Sequence, residues 1–193
     1  FDADKDGDPD LYVGSGGYEF DAADPLLQDR LYINDGKGNF SFKADALPRM
    51  LTSTGTADAA DIDGDGDLDL FAGGRVVPGN YPVTPRSYIL INDGKGNFSD
   101  GTMAANPSLE KPGMITDAVW TDLNNDQMPD LVIAGEWMPL QVYINDKGKL
   151  SDKSAGYIRF PSKGWWNTIH ADDIDGDGDV DLIAGNTGLN TQF

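Results

Sequence analysis

The chain has 193 residues, no cysteine and a formal net charge of −19, with 33 acidic and 14 basic residues. This length fits one domain or part of a larger one, and 39% hydrophobic residues are sufficient for a core. The absence of cysteine from the sequence excludes disulfides, zinc–thiolate sites and thiol nucleophiles, and the acidic balance argues against nucleic-acid binding, which needs a basic surface.

An aspartate-rich nonapeptide opens the chain at residues 2–10 and returns at residues 61–69, 122–130 and 173–181. We number these segments acidic loops 1 to 4. Each has the form D-x-[DN]-x-D-[GQ]-x-x-D and is followed directly by leucine and a short apolar run. The four loops contain 18 of the 33 acidic residues, so more than half of the acidic residues belong to the loops.

The spacing of the aspartates predicts calcium binding. Carboxylates at positions 1, 3, 5 and 9 can converge on a hard cation that takes about six to eight oxygen ligands, and position 7 is expected to add its backbone carbonyl. Glycine at position 6 permits the sharp turn. Without a cation, the crowded carboxylates would repel one another. Up to four Ca²⁺ ions are predicted, held by Asp2, Asp4, Asp6, Asp8 and Asp10; Asp61, Asp63, Asp65, Asp67 and Asp69; Asp122, Asn124, Asp126, Met128 and Asp130; and Asp173, Asp175, Asp177, Asp179 and Asp181.

Two other interpretations of the acidic loops give different expectations. An EF-hand requires glutamate at position 12 and a flanking helix, whereas position 12 is apolar in every copy and the following residues read as short buried strands stopped by glycine. A solvated loop that binds nothing would account for one copy, but four copies in the same context favour ion binding. Loop 3 has Asn124 and Gln127 in place of aspartate and glycine, so it is predicted to bind calcium most weakly.

A second repeated segment follows each of the first three loops, at residues 31–40, 90–98 and 142–150. Its pattern, as in LYINDGKGNF, predicts a strand, a tight turn containing glycine and another strand. Short segments before loops 2 to 4, at residues 56–60, 118–121 and 168–172, read as one more strand. One repeat therefore has four antiparallel strands, A to D, with the acidic loop between strands A and B.

Four antiparallel strands form a propeller blade. The sequence resembles the FG-GAP or VCBS repeats of integrin α propellers and of bacterial surface proteins, including those with an ASPIC/UnbV module. The resemblance is carried by the acidic loops and by the Asp-Leu pair and glycine that follow them. The resemblance implies an all-β propeller with calcium loops between the first and second strands. It also implies a protein exported from a bacterial cell, with an extracellular or cell-surface location.

The repeats divide the chain into a partial blade at residues 1–50, complete blades at 51–110 and 111–160, and a partial blade at 161–193. Propellers close with about four to eight blades, so this segment is expected to be part of a larger propeller. The remaining blades are expected to belong to a longer chain. The alternative is that exposed sheet edges pair with another copy.

Antiparallel alternation predicts that the acidic loops and the C–D turns share one end of the blades and that the variable connections share the other. The variable end carries rings and guanidinium groups suited to a glycan or protein ligand; the candidates are Arg75, Tyr81, Arg86, Trp137, Arg159 and Trp165. Any one of the rings could instead fill a gap between blades. Replacing Trp137 or Arg75 is expected to weaken ligand binding with little loss of stability.

The sequence favours a non-catalytic adhesion or recognition protein, with no nucleic-acid partner and no direct insertion into a membrane. It contains no Ser-His-Asp constellation and no glycine-rich phosphate loop between a strand and a helix. The alternative is the propeller portion of a calcium-dependent carbohydrate-active enzyme such as a polysaccharide lyase, because similar propellers occur in some lyases. Its catalytic candidates would be Arg75, Arg86 and Arg159.

Overall fold

A computed structural model describes residues 1–188 as antiparallel β-sheet with a few short helical turns. The strands of this part of the chain are β1 (Leu11–Val13), β2 (Arg30–Asn34), β3 (Phe40–Phe42), β4 (Ser53–Ala60), β5 (Asp69–Val76), β6 (Tyr88–Asn92), β7 (Phe98–Asp100), β8 (Met114–Thr121), β9 (Asp130–Met138), β10 (Gln141–Asp146), β11 (Lys149–Asp152), β12 (Gly164–Asp172) and β13 (Asp181–Asn186).

The strand order confirms the predicted propeller blades. Strands β4-β5-β6-β7 form a four-stranded sheet in sequence order, which is one complete blade from A to D. Strands β1-β2-β3 form a three-stranded sheet that corresponds to strands B, C and D of the blade before it. Strands β8 to β11 repeat the complete blade, and β12 and β13 are strands A and B of the next one. The last five residues of the predicted partial blade at 161–193 lie outside the described residues.

The third and fourth blades are joined in one six-stranded sheet, which the sequence did not predict. Strand β9 is nine residues long, and its partner β10 pairs only with residues 131–133. The far end of β9 is therefore free to pair with the start of β12, where Met138 lies opposite Gly164 and Glu136 opposite Trp165. The two blades are thus hydrogen-bonded to each other at the variable end.

The connections between strands contain short helical turns that the sequence analysis missed. They are the α-helices α1 (Thr102–Ala105) and α2 (Ser154–Tyr157) and the 3₁₀ turns Pro25–Leu27 and Pro107–Glu110. Three or four residues are too few to give a helical periodicity, so the hydrophobic pattern does not reveal these turns. Within residues 1–188, no helix has the length and apolar character needed to cross a membrane.

The core lies between the blades, and strand B of the second and third blades is buried on both faces. In β9, Leu131 and Ile133 pack with Phe71 and Ile89 of the second blade. The alternating residues Val132 and Ala134 belong to a separate cluster with Trp166 and Ile169 of the fourth blade. A third cluster between the first two blades contains Leu31, Met50, Leu70, Leu90 and Phe98. A strand covered on both faces reads as a continuous apolar run, which is why the segments after the acidic loops showed no alternation.

Asparagine side chains tie successive blades together at the end that carries the acidic loops. The Asn145 amide donates to the carbonyl of Ile62 in the second blade (2.8 Å) and to the carbonyl of Pro129 in its own blade (3.0 Å). Asn92 makes the equivalent bonds to the carbonyls of Ala3 and Leu68. Both asparagines are buried. Ile62 and Ala3 each occupy position 2 of an acidic loop. The bonds that these two carbonyls accept therefore join one acidic loop to the next blade.

We expect Asn145→Ala to lower the free energy of unfolding by about 1–3 kcal/mol, because it leaves two carbonyls and the Gly148 amide without their buried partner. Asn34→Ala is the matched control. Asn34 occupies the same position of the first blade but donates only to Pro9 within that blade. Urea unfolding of the two variants should show the larger loss for Asn145→Ala, and an equal loss would contradict a role in joining blades.

Candidate functional site

The main chain of the acidic loops follows the predicted turn. Position 6 has a positive φ in all four loops, with values of 92° at Gly7, 88° at Gly66, 93° at Gly178 and 71° at Gln127. Gln127 therefore adopts the left-handed conformation that glycine adopts elsewhere, as predicted, at a cost that glycine avoids. Position 4 is also left-handed in every loop, including Lys5 (61°), which the sequence analysis did not anticipate.

Backbone N–H groups orient the aspartates of each loop. In loop 2, the Asp61 carboxylate accepts from the amides of Gly64 (2.8 Å) and Gly66 (3.0 Å). The Asp63 carboxylate accepts from the amide of Asp65 (3.2 Å). Loop 4 repeats these bonds with the same partners and similar distances. The main chain thus wraps around its own carboxylates and holds them in fixed positions.

The aspartate at position 9 connects the loop to strand C. Asp69 is buried, and one of its oxygens accepts from the amide of Ile62 (3.2 Å) in the loop. Its other oxygen accepts from the amide of Asn92 (2.8 Å) at the end of β6. Asp10 and Asp130 make the corresponding pair of bonds. Position 9 therefore closes the loop through hydrogen bonds and also fixes the loop against the C–D turn; its role as a calcium ligand stays a prediction.

Three of the four loops bring carboxylate oxygens close enough to share one cation. Each of the following groups offers three oxygens that all lie within 4.8 Å of one another: Asp2, Asp4 and Asp6; Asp61, Asp63 and Asp69; and Asp173, Asp175 and Asp181. In loop 1, one buried oxygen of Asp2 and one of Asp4 have no hydrogen-bond partner. Unpartnered carboxylate oxygens in a concave loop fit a hard divalent ion.

Loop 3 differs from the other loops, in agreement with its sequence. No group of three carboxylates within the same distance occurs in it among the described residues. The amide nitrogen of Asn124 donates to an oxygen of Asp126 (2.9 Å), so this asparagine supplies a donor where the other loops supply a carboxylate. An amide can offer a cation one uncharged oxygen, which makes loop 3 the poorest set of ligands.

Burial and mutual repulsion raise the pKa of carboxyls in the loops. The pKa of Asp69 is raised to about 6, chiefly by burial and also by the nearby carboxylates of Asp63 and Asp65, while hydrogen bonds from the amides of Asn92 and Ile62 oppose the rise. The pKa values of Asp4, Asp63 and Asp130 are raised for the same main reason. The folded chain therefore opposes ionisation of these groups, and a bound cation would remove that opposition by supplying positive charge.

At the variable end, the structure brings together four of the six predicted ligand-binding residues. The rings of Trp137 and Trp165 lie 5.0 Å apart between centroids, at an interplanar angle of 53°. The indole N–H of Trp137 donates to the hydroxyl of Tyr81 (2.5 Å). Arg75 lies beside the same tyrosine at a cavity of about 380 Å³. We call Arg75, Tyr81, Trp137 and Trp165, together with Glu136, the recognition cluster.

Glu136 is the member of the recognition cluster that the sequence analysis missed. Its side chain is 5% exposed, and its carboxylate accepts from Arg75 (2.6 Å) and from the Tyr81 hydroxyl (3.3 Å). The signal was present as a single charged residue inside the apolar run LVIAGEWM. The pairing changes the expectation for Arg75, because removing this guanidinium would leave a buried carboxylate without its counter-ion and would cost stability.

Trp137 is held in an unusual backbone conformation. Its φ is 60°, in the left-handed region that bulky residues rarely adopt, yet its side chain is 52% exposed. Such a conformation costs on the order of 1–3 kcal/mol and is concentrated at functional sites. A second cavity of about 400 Å³ lies beside Trp137, Tyr81 and Glu136 and is bordered by Met114 and Met138. Trp137 is therefore a surface residue with a strained backbone, and its ring does not serve as core packing.

Arg86 and Arg159 lie outside the recognition cluster. Arg86 pairs with Asp100 (2.7 Å) and Glu110 (3.6 Å), and its guanidinium covers the ring of Tyr88 at 4.6 Å. The Arg159 side chain donates to the carbonyl of Gly156 (3.4 Å) beside α2. The three arginines considered for lyase chemistry thus have separate partners, and the structure does not gather them at one site.

The sheets and the loops together define a segment of a β-propeller with acidic loops competent to bind a metal ion. The family model for FG-GAP-like repeats matches residues 2–72 and 122–184, which is more than half of the chain. The chain belongs to the FG-GAP-like repeat family. The unmatched residues between these two regions continue the same pattern, since they contain β6, β7 and β8 of consecutive blades.

A search of curated proteins finds no match. Among solved structures, the chain is similar to an Agrocybe aegerita lectin described as specifically recognising non-reducing terminal N-acetylglucosamine. The two share 19% sequence identity, with a TM-score of 0.47, over 81% of this chain. The similarity covers 40% of the lectin chain, so this chain spans less than half of that structure.

The raised pKa of Asp69 predicts how pH affects the metal-free protein. The Asp69 carboxyl has an ordinary value of 3.8 and a folded value of about 6, so its contribution to stability is fully present below about pH 4 and is lost as the pH rises through 6. Without metal, we expect the free energy of unfolding to fall by on the order of 1–3 kcal/mol between pH 4.5 and 7.5. Unfolding of resin-stripped protein measures this, and added calcium should remove the decline. Stability that rises with pH in metal-free protein would contradict it.

A second prediction ranks the loops. Asp126→Ala in loop 3 should reduce calcium-induced stabilisation less than the equivalent Asp65→Ala or Asp177→Ala, because the loop that starts with the fewest carboxylate ligands has the least binding energy to lose. The increase in melting temperature between metal-free and calcium-saturated protein measures the effect in each variant. A larger loss of stabilisation for Asp126→Ala would reverse the ranking.

Proposed function

We propose that the chain is part of an exported, non-catalytic propeller that binds calcium in its acidic loops and recognises a glycan at its variable end. The observation that carries this proposal is the recognition cluster, in which residues from three blades meet around one partly buried ion pair. Arg75 and Tyr81 come from the second blade, Glu136 and Trp137 from the third, and Trp165 from the fourth.

The chemistry of the recognition cluster suits a sugar. The exposed faces of Trp137 and Tyr81 offer flat apolar surface with polar edges, which matches the C–H face and hydroxyl rim of a pyranose ring. The Arg75–Glu136 pair provides charged donors and acceptors of fixed direction, and such groups form short hydrogen bonds with hydroxyls. The adjoining cavities of about 380 and 400 Å³ lie within the usual size range of small-ligand sites, about 300–1,000 Å³.

Calcium is the proposed ion of the acidic loops. Its coordination accepts about six to eight oxygens in a flexible arrangement, whereas Mg²⁺ requires near-octahedral geometry and loses water reluctantly. The side chains at positions 1, 3, 5 and 9 and the carbonyl at position 7 would hold the ion. The ion would neutralise carboxylates that the fold now keeps close together. Extracellular calcium modules bind at about 10⁻⁴ to 10⁻³ M, which is consistent with the proposed export.

We also propose that the blade boundaries follow the repeats, at residues 1–50, 51–110, 111–160 and 161–193, and that the other blades belong to a longer chain. The open edge of β1 supports this arrangement. Leu11, the first residue of β1, is 45% exposed, whereas the equivalent residues Leu70 and Leu131 are 2% and 0% exposed beneath their own strands A.

The test of glycan recognition separates the ring of Trp137 from the backbone that carries it. Trp137→Asn removes the indole and places a residue that tolerates positive φ at this position. We expect at least a tenfold loss of affinity for the glycan with an unchanged or higher melting temperature, measured by glycan-array screening of calcium-loaded protein followed by calorimetry on the best oligosaccharide.

Tyr157→Asn is the control, because Tyr157 is an exposed ring of the outer connection at α2, outside the recognition cluster. Equal binding by both variants would contradict the assignment of the site. Binding only to immobilised proteins would favour a protein ligand. Release of unsaturated uronate ends from pectic polysaccharide, seen as rising ultraviolet absorbance, would instead support the lyase alternative.

A further inference from the structure

Successive acidic loops contact one another through a fixed pair of positions. The side chain at position 4 of one loop faces the side chain at position 7 of the next. The ammonium group of Lys5 in loop 1 forms an ion pair with the carboxylate of Asp67 in loop 2. In the same way, the amide nitrogen of Asn125 in loop 3 lies 3.4 Å from an oxygen of Asp179 in loop 4. Between loops 2 and 3, Gly64 faces the end of the Met128 side chain.

Loops 2 and 4 have almost the same sequence, DIDGDGDLD and DIDGDGDVD, and differ only at position 8. Each also supplies the same three carboxylates, at positions 1, 3 and 9, to its candidate metal group. The ligands alone therefore predict similar calcium affinities. The two groups differ in burial, since Asp69 of loop 2 is buried whereas none of the three carboxylates of loop 4 is. They also differ in the residue that the preceding loop places against position 7, which is a cation at loop 2 and a neutral amide at loop 4.

We propose that Lys5 lowers the calcium affinity of acidic loop 2, and that the residue at position 4 of each loop sets the affinity of the next loop along the chain. This inference rests on the proposed calcium function of the loops. A lysine ammonium held against Asp67 would repel a divalent ion bound at the same loop, and the ion pair neutralises part of the loop's negative charge. Asn125 exerts no such repulsion on loop 4.

The two residues can be exchanged without changing the backbone. Lys5 and Asn125 have φ angles of 61° and 60°, so each position tolerates the other residue in its left-handed conformation. The exchange therefore changes charge while keeping the turn. Neither residue is one of the predicted metal ligands.

Two glycine amides report the occupancy of the two loops separately. The Gly66 N–H donates to Asp61 (3.0 Å) and the Gly178 N–H donates to Asp173 (3.1 Å), so each proton is bonded to the position 1 carboxylate that would hold the ion. Calcium binding at one loop should shift the ¹H and ¹⁵N resonances of its own glycine. A chain of 20.7 kDa is suitable for such a titration.

The experiment titrates the 193-residue chain with CaCl₂ and follows both glycines in the wild type, Lys5→Asn and Asn125→Lys. We expect Lys5→Asn to move the Gly66 midpoint to about three- to tenfold lower calcium, with the Gly178 midpoint unchanged. Asn125→Lys should move the Gly178 midpoint to higher calcium by a similar factor, with Gly66 unchanged. Lys153→Asn, a charge change on the outer strand connection, should move neither.

If the Gly66 resonance of Lys5→Asn responds to calcium with the same midpoint as in the wild type, this inference is overturned while the calcium function stays intact. Equal shifts of both glycines in either variant would overturn it as well, because they would indicate a general charge effect. Absence of any calcium-dependent shift at both glycines would overturn the proposed calcium function and the inference together. Attenuation of the Lys5→Asn shift in 0.5 M KCl would support it, because screening weakens an exposed charge interaction.

Discussion

The first three blades share one physical constraint, a buried carboxylate supplied by the aspartate at position 9 of the acidic loop. In the second blade, Asp69 accepts from the amide of Ile62 within the loop and from the amide of Asn92 at the end of strand C. One side chain thus satisfies two backbone donors that have no partner in a sheet ladder, and an unsatisfied buried donor costs about 1–3 kcal/mol. This arrangement places a carboxylate in a desolvated site beside other carboxylates, which explains the raised pKa of Asp69. A bound cation would favour the ionised form of that carboxyl.

The end of the blades that carries the acidic loops forms a continuous network from one blade to the next. Asn92 and Asn145 each bridge from the end of a strand C to position 2 of the preceding loop. The contacts from position 4 to position 7 run in the same direction along the chain. Strand B of the third blade, β9, packs against both neighbouring blades. At the opposite end, adjacent blades are joined instead by the pairing of β9 with β12 and by the ion pair between Arg75 and Glu136.

The sequence predicted the repeating parts of the molecule well, because each depends on local chemistry. Asp-rich loops, Gly-containing turns and short apolar runs all carry their structural reason within about ten residues, and the strands and left-handed glycines lie where those patterns indicated. For Arg75, Tyr81, Trp137 and Trp165, the sequence predicted only that they lie at the same end of the blades. Their mutual contacts depend on how blades stack, which involves residues about 60 positions apart, such as Arg75 and Glu136.

The features that the sequence did not reveal are those that break the repeat. Glu136 was hidden because a charge in an apolar strand has meaning only when its partner is known. The joining of β9 to β12 was hidden because it depends on the short connection between β9 and β10. Comparison of repeats offers a signal in hindsight: Arg75 and Glu136 each lie six residues after the position 9 aspartate of their blade. The same repeat position thus carries a positive charge in the second blade and a negative charge in the third. The two side chains form an ion pair between those blades.

That shared position also fixes the relation between the metal loops and the recognition cluster. Six residues of β-strand span about 20 Å, so Arg75 and Glu136 lie at the far ends of the strands that begin at Asp69 and Asp130. At this separation a ligand in the recognition cluster cannot share oxygens with an ion in the loops of the same blades. If calcium binds in the loops as proposed, it would act on the recognition cluster through strand B, which carries residues of both. The ion pair between Arg75 and Glu136 makes the geometry of the recognition cluster depend on the stacking of two blades, because Arg75 belongs to one blade and Glu136 to the next.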